Sequence, residues 1–160
     1  MAIEIKAPSD YQRYTFDESK VLVFLAGSID MGSARDWQRD IVEHFKDNKE
    51  VVFLNPRRND WDSSWTQSID NPQFFEQVTW EMDAMEDADL IAMVLTNESK
   101  APISLLELGL HAADDKMLVC AEPEFWRRGN VEIVCDRYDI PLYSTVEQLI
   151  RGIEDQLSLL

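Results

Sequence analysis

Two stretches of this chain leave few folds open. Lys20-Val21-Leu22-Val23-Phe24-Leu25-Ala26 and Leu90-Ile91-Ala92-Met93-Val94-Leu95 are continuous apolar runs, far too short to cross a bilayer and without the alternation of a half-exposed strand. Runs of this kind mark strands covered on both faces, as in a parallel sheet held between helices. Val51-Val52-Phe53-Leu54 and Met117-Leu118-Val119-Cys120 repeat the pattern, and Pro141-Leu142-Tyr143 offers a short edge strand.

Between these runs the apolar period changes to that of a helix. Ser33 to Lys46 carries Trp37, Ile41, Val42 and Phe45, and Pro72 to about Asp87 carries Phe75, Val78, Met82 and Met85. A third helix follows Leu95, a short one lies within Pro123 to Cys135, and Ser144 to Leu157 closes the chain, with Ser144 and Glu147 as its capping box. Strands alternating with helices imply right-handed crossovers between parallel strands. The expected fold is α/β: a single doubly wound domain over residues 20–160, a five-stranded parallel sheet with helices on both faces, flavodoxin-like or Rossmann-like. Residues 1–19, polar and broken by Pro8-Ser9-Asp10, read as an irregular N-terminal arm anchored by Tyr11, Tyr14 and Phe16.

Composition narrows the partners. A length of 160 residues suits one domain, and a hydrophobic content of 45% excludes a disordered chain. Thirty-one acidic against fifteen basic residues give a net charge of −16, which disfavours nucleic acid polymers and anionic membranes and leaves small molecules or proteins as partners. No apolar run spans a membrane, and Met1-Ala2-Ile3-Glu4-Ile5-Lys6 lacks the order of a signal peptide, so a soluble cytoplasmic protein is expected. Cys120 and Cys135 have no ligand-like spacing to each other or to His44 and His111; they read as reduced core thiols, and no metal site is expected.

The chemistry points to Ala101-Pro102-Ile103-Ser104-Leu105-Leu106-Glu107-Leu108-Gly109-Leu110. It places Glu107 in the first turns of a helix that follows a buried strand, at the carboxyl end of the sheet where ligands of open α/β folds bind. Exposed N–H groups and the dipole at such a helix start favour an ionised carboxylate, suited to act as a nucleophile. The same letters also spell a capping box between Ser104 and Glu107. Gly27-Ser28 ends the first strand either as a plain turn or as a close approach to a ligand. The stretch Arg57 to Asn71 is long and polar yet holds Trp61 and Trp65, as a functional loop would.

The order of Glu81-Met82-Asp83-Ala84-Met85-Glu86-Asp87-Ala88-Asp89, then the strand, then Ser104-Leu105-Leu106-Glu107-Leu108-Gly109 resembles the nucleoside 2-deoxyribosyltransferases and the related nucleoside 5′-monophosphate N-glycosidases. The likeness runs from about Val21 to Asp136. It implies that Glu107 attacks the anomeric carbon of a nucleoside, releases the base and holds the sugar as a glycosyl ester until an acceptor attacks the same face, with overall retention. It implies Glu81, where the transferases usually carry an aspartate, as the second acid; the other reading of Glu81 is a solvated helix acid. Asp83 points to another face.

The resemblance also implies a binding set. Gly27 and Ser28 match the Gly-Ser of the monophosphate N-glycosidases, and Ser104 stands in the nucleophile motif. Asp30 replaces the arginine those enzymes use for phosphate, which favours an unphosphorylated nucleoside. Asn55-Pro56-Arg57-Arg58-Asn59-Asp60 is similar to the transferase loop in which Asp60 meets the base; Arg57 or Arg58 pairs with local acids or meets a phosphate, and Trp61 either stacks on the base or anchors the loop. Asn130 matches an asparagine lent to a neighbouring subunit, implying a homo-oligomer, although Glu132 stands where the family has methionine. Phe24 replaces a tyrosine beside the nucleophile, and Ala101 replaces a base-binding aspartate, for which Asn97 or Glu98 substitutes.

The expected function is exchange of the base of a 2′-deoxynucleoside, a nucleotide-salvage reaction with nucleosides and free nucleobases as ligands and no cofactor. The alternatives are a hydrolase of nucleosides or nucleoside 5′-monophosphates, and a non-catalytic nucleotide-binding domain. A flavin carrier is disfavoured, since the Gly27-Ser28 loop lacks a run of hydroxyl residues for a flavin phosphate.

Overall fold

Each apolar run becomes a strand with both faces covered. In the computed structural model, which describes residues 1–30, 34–58 and 60–160, the strands are β1 (Ile3–Lys6), β2 (Val21–Gly27), β3 (Val51–Asn55), β4 (Leu90–Leu95), β5 (Met117–Ala121) and β6 (Leu142–Tyr143). They form one parallel sheet in the order β1-β3-β2-β4-β5-β6. Every residue of β3, β4 and β5 is buried.

The sheet has six strands where five were expected, because Ile3–Lys6, inside the segment read as an irregular arm, pairs with β3. Four residues are too few for alternation to stand out, yet the pleat is present: Ile5 is buried in the core and Glu4 accepts a hydrogen bond from Asn55 Nδ2 at 2.8 Å. Farther along the arm, Tyr11 donates to Asp87 at 2.8 Å and Ser9 O accepts from Trp80 Nε1 at 2.9 Å.

The helices are α1 (Trp37–His44), α2 (Pro72–Asp87), α3 (Pro102–His111), α4 (Arg128–Arg137) and α5 (Val146–Leu157). Trp80, Ala84 and Met85 of α2, Leu108 of α3, and Val131 and Cys135 of α4 cover one face of the sheet. Trp37 and Ile41 of α1, with Leu149 and Ile153 of α5, cover the other. Cys120 and Cys135 are free and buried, as read from the sequence.

Side chains set the helix ends. Asp36 accepts from Arg39 N–H and starts α1 later than expected; Ser33, the expected start, lies outside the described residues. Asn71 accepts from Phe74 N–H at 2.9 Å ahead of Pro72, a pairing that starts α2 where the sequence placed it. At its other end, Lys116 Nζ donates to the carbonyls of Met85, Glu86 and Ala88 at 2.7 to 3.0 Å. The cap of α5 falls one residue beyond the expected Ser144–Glu147 box: Thr145 Oγ1 accepts from Gln148 N–H, while Gln148 Oε1 accepts from Ser144 N–H.

Candidate functional site

The chain leaves β2 for β3 on one side and later enters β4 on the other, so the crevice between β2 and β4 is the switch point at which such sheets bind ligands. Gly27 allows the two strands to close there. Its φ is +134°, and a Cβ at this position would lie 2.0 Å from the Val94 carbonyl oxygen. Ser28 completes the junction: its N–H donates to Val94 O at 2.9 Å, its Oγ accepts from Thr96 N–H at 3.1 Å, and its carbonyl accepts from Trp37 Nε1 at 2.9 Å. The Ser28 N–H is therefore committed to β4 and is not available to a ligand.

Glu107 sits deeper in its helix than the sequence suggested. α3 begins at Pro102, with Ala101 at the cap in a left-handed conformation (φ 44°) and no side-chain cap bond. Ser104 is thus already inside the first turn, and the Ser104–Glu107 capping box does not form. Glu107 is 9% exposed, and its carboxyl takes no hydrogen bond from the described residues. The benefit of the helix start fades beyond its first turn. Burial, with the Glu81 carboxylate adding to it, pushes the Glu107 pKa up to about 8. The free protein thus differs from the readily ionised carboxylate expected at a helix start.

Glu81, from the middle of α2, is half-buried and near enough to Glu107 for its charge to act on it, so it is not a fully solvated helix acid. Burial pushes its pKa up to about 7, opposed by a hydrogen bond from Gln77. Gln77 Nε2 donates to Glu81 Oε1 at 3.1 Å and to Pro56 O at 3.0 Å, and Gln77 Oε1 accepts from Arg58 Nη1 at 3.3 Å. Arg58 also holds Asp60 through two hydrogen bonds of 2.7 and 2.9 Å and lies over the Trp65 ring at 5.2 Å. Trp65 meets Trp61 edge to face at 5.1 Å. The Trp61 indole N–H is shielded from solvent and has no acceptor among the described residues.

The remaining residues singled out from the sequence are more scattered. Asp60 is an exposed partner of Arg58, which holds its carboxyl below the usual range. Asp30 is exposed and accepts from Ser99 Oγ at 2.9 Å. Asn97 ties two loops together, its Oδ1 accepting from Glu124 N–H and its own N–H donating to Glu122. Asn130 is exposed in the first turn of α4. Asn59 lies outside the described residues. Phe24 is buried at 1% exposure, its ring 6.3 Å from Trp80, so apolar packing occupies the expected tyrosine position.

Sequence reasoning missed Gln77 and Thr96. The spacing of Gln77, one helical turn before Glu81, was a visible signal. Thr96 directly follows the buried strand β4, and its hydroxyl is enclosed with no partner among the described residues. Among those residues no group of His, Cys, Asp and Glu is placed to hold a metal ion, and no helix is long and apolar enough to cross a membrane.

A parallel, doubly wound six-stranded sheet with helices on both faces defines a flavodoxin-like α/β domain. A solved structure described as a conserved protein from Enterococcus faecalis V583 is similar in fold, with a TM-score of 0.62 at 12% identity over 86% of this chain and 99% of that one. No curated protein matches the chain. The family described as "Nucleoside 2-deoxyribosyltransferase like" matches residues 20–125, and the chain belongs to that family.

Proposed function

We propose that this protein transfers the pentose of a nucleoside, most simply a 2′-deoxynucleoside, from its base to Glu107 and on to an acceptor base. The observation that carries the reading is the proximity of the buried Glu107 to the half-buried Glu81, whose charge acts on it. Burial raises the pKa of both acids and the Glu81 carboxylate opposes ionisation of Glu107, so the pair retains a proton near neutrality. One carboxylate and one carboxylic acid are what double displacement at an anomeric carbon requires.

Gln77 donates to the Glu81 carboxyl and no described residue donates to Glu107, so in the free protein Glu81 is the more readily ionised of the two. The positive charge that develops on the sugar as the glycosidic bond breaks is stabilised by an ionised Glu107, so the reactive form of the pair is the one with the shared proton on Glu81. Glu107 then forms the bond from its carboxylate oxygen to the anomeric carbon, the carbon–nitrogen bond breaks, and Glu81 gives its proton to the departing base. An acceptor base reverses these steps, and water in its place gives hydrolysis. Trp61, with its unanswered N–H, is the aromatic group we assign to the base. Gly27, Ser28 and Ser104 shape the floor, and Asp30 disfavours a 5′-phosphate.

Asn130 reaches its site only from a neighbouring subunit in this reading. Support comes from α3, whose exposed residues include Ile103, Leu106 and Leu110 but no charged side chain, and from Ile133, one turn from Asn130 on α4. Incubation with deoxyinosine, with and without adenine, tests the reaction by chromatography. New deoxyadenosine is the expected result; free sugar without exchange assigns hydrolysis, and unchanged deoxyinosine in both samples contradicts the proposal.

A further inference from the structure

We infer that Gln77 is a positioning residue that fixes which oxygen of Glu81 carries the acid proton. The inference rests on the proposed role of Glu81 and goes beyond it. The orientation of the Gln77 amide follows from its neighbours. The Pro56 carbonyl is an acceptor only, so the amide nitrogen must face it, and the Arg58 guanidinium is a donor only, so the amide oxygen must face that side. One N–H remains, and it donates to Glu81 Oε1 at 3.1 Å.

Gln77 is 4% exposed, so it has little opportunity to exchange these partners for water. A flipped amide would set its oxygen against the Pro56 carbonyl and its nitrogen against Arg58. With Oε1 engaged as an acceptor, a neutral Glu81 carries its proton on Oε2. The bond also holds the carboxyl in one rotamer and favours its ionised form, which lowers the affinity of Glu81 for a proton relative to Glu107. The charged groups acting on the site are Glu107 from α3 and, through Gln77, Arg58 from the loop after β3, which is itself neutralised by Asp60. The same three bonds tie the Trp61–Trp65 loop to the acid, so contacts made by a base in that loop bear on Glu81 through one side chain.

The test is a titration of the ligand-free protein carrying carboxyl-13C glutamate, followed by NMR, with Glu81 assigned from Glu81→Gln. Gln77→Met, of similar volume and without the amide, should move the Glu81 midpoint upward by about one pH unit, the worth of one lost hydrogen bond. Gln77→Glu, nearly isosteric, should move it upward as well, and it serves if the methionine variant fails to fold. A Glu81 midpoint unchanged in the folded variants overturns the inference; lower thermal stability alone is what a merely structural glutamine would give. In turnover, the acid limb of the kcat/KM profile should move upward with the Glu81 midpoint, so that kcat/KM falls about tenfold at a pH below that limb and does not fall above it. A moved midpoint in a protein that never turns over deoxynucleosides leaves Gln77 in its role and removes the transfer reading.

Discussion

At the scale of single residues, the site depends on burial overruling a helix start. Glu107 was legible as a carboxylate at the sheet's open end, but its charge state was not, because nothing in the letters tells how much water α2 excludes. Glu81 was singled out by the family resemblance, while its helix alone showed it as one acid among several, and its half-buried position comes from packing. Two outcomes follow from the raised values. kcat/KM for a deoxynucleoside should be bell-shaped, with limbs near 7 and 8: below the first, both acids are protonated and the nucleophile is lost, and above the second, both are ionised and the base leaves without a proton. Folding stability should fall as pH rises from about 4.5 to about 8, since the unfolded chain releases the Glu107 proton at the lower value and the folded chain keeps it to the higher. Glu107→Gln should flatten that fall, by roughly 2–4 °C in Tm for each kcal/mol recovered near pH 8, in melts recorded across the range. Equal slopes in both proteins would show that Glu107 titrates normally.

At the scale of elements, the strand runs and the start of α2 could be read directly, because apolar continuity and an Asn-Pro pair are local signals. The shifted starts of α1, α3 and α5, and the sixth strand, could not. Caps are chosen among adjacent candidates by tertiary contacts, as Thr145 shows beside Ser144, and β1 exists only because the edge of β3 is there to pair with it. Gly27→Ala should cost more than about 3 kcal/mol in urea unfolding, since its Cβ would overlap the Val94 carbonyl and its φ disfavours any side chain. Lys116→Met should cost about 1–3 kcal/mol by loosening the end of α2, through the three carbonyls it leaves behind. A Lys116 variant as stable as the parent would remove that clamp from the description.

At the scale of the whole molecule, a chain of net charge −16 keeps the outer side of α3 free of exposed charge. The strand order puts that helix, with the buried Glu107, on the same face of the sheet as α2 and Glu81, a meeting that the family resemblance implied and the topology explains. Leu106→Glu places a charge on the outer side, and in light scattering it should convert a multimer into single chains of 18.6 kDa. Parent protein that already scatters as single chains would contradict the proposed assembly. The chemistry is tested most directly by intact-mass analysis after brief exposure to a 2-fluoro-2-deoxy nucleoside. The expected result is a gain of one fluorinated sugar, mapped to Glu107 and missing from Glu107→Ala. An unmodified parent that nevertheless consumes the nucleoside, or a sugar bound to another residue, would contradict Glu107 as the nucleophile.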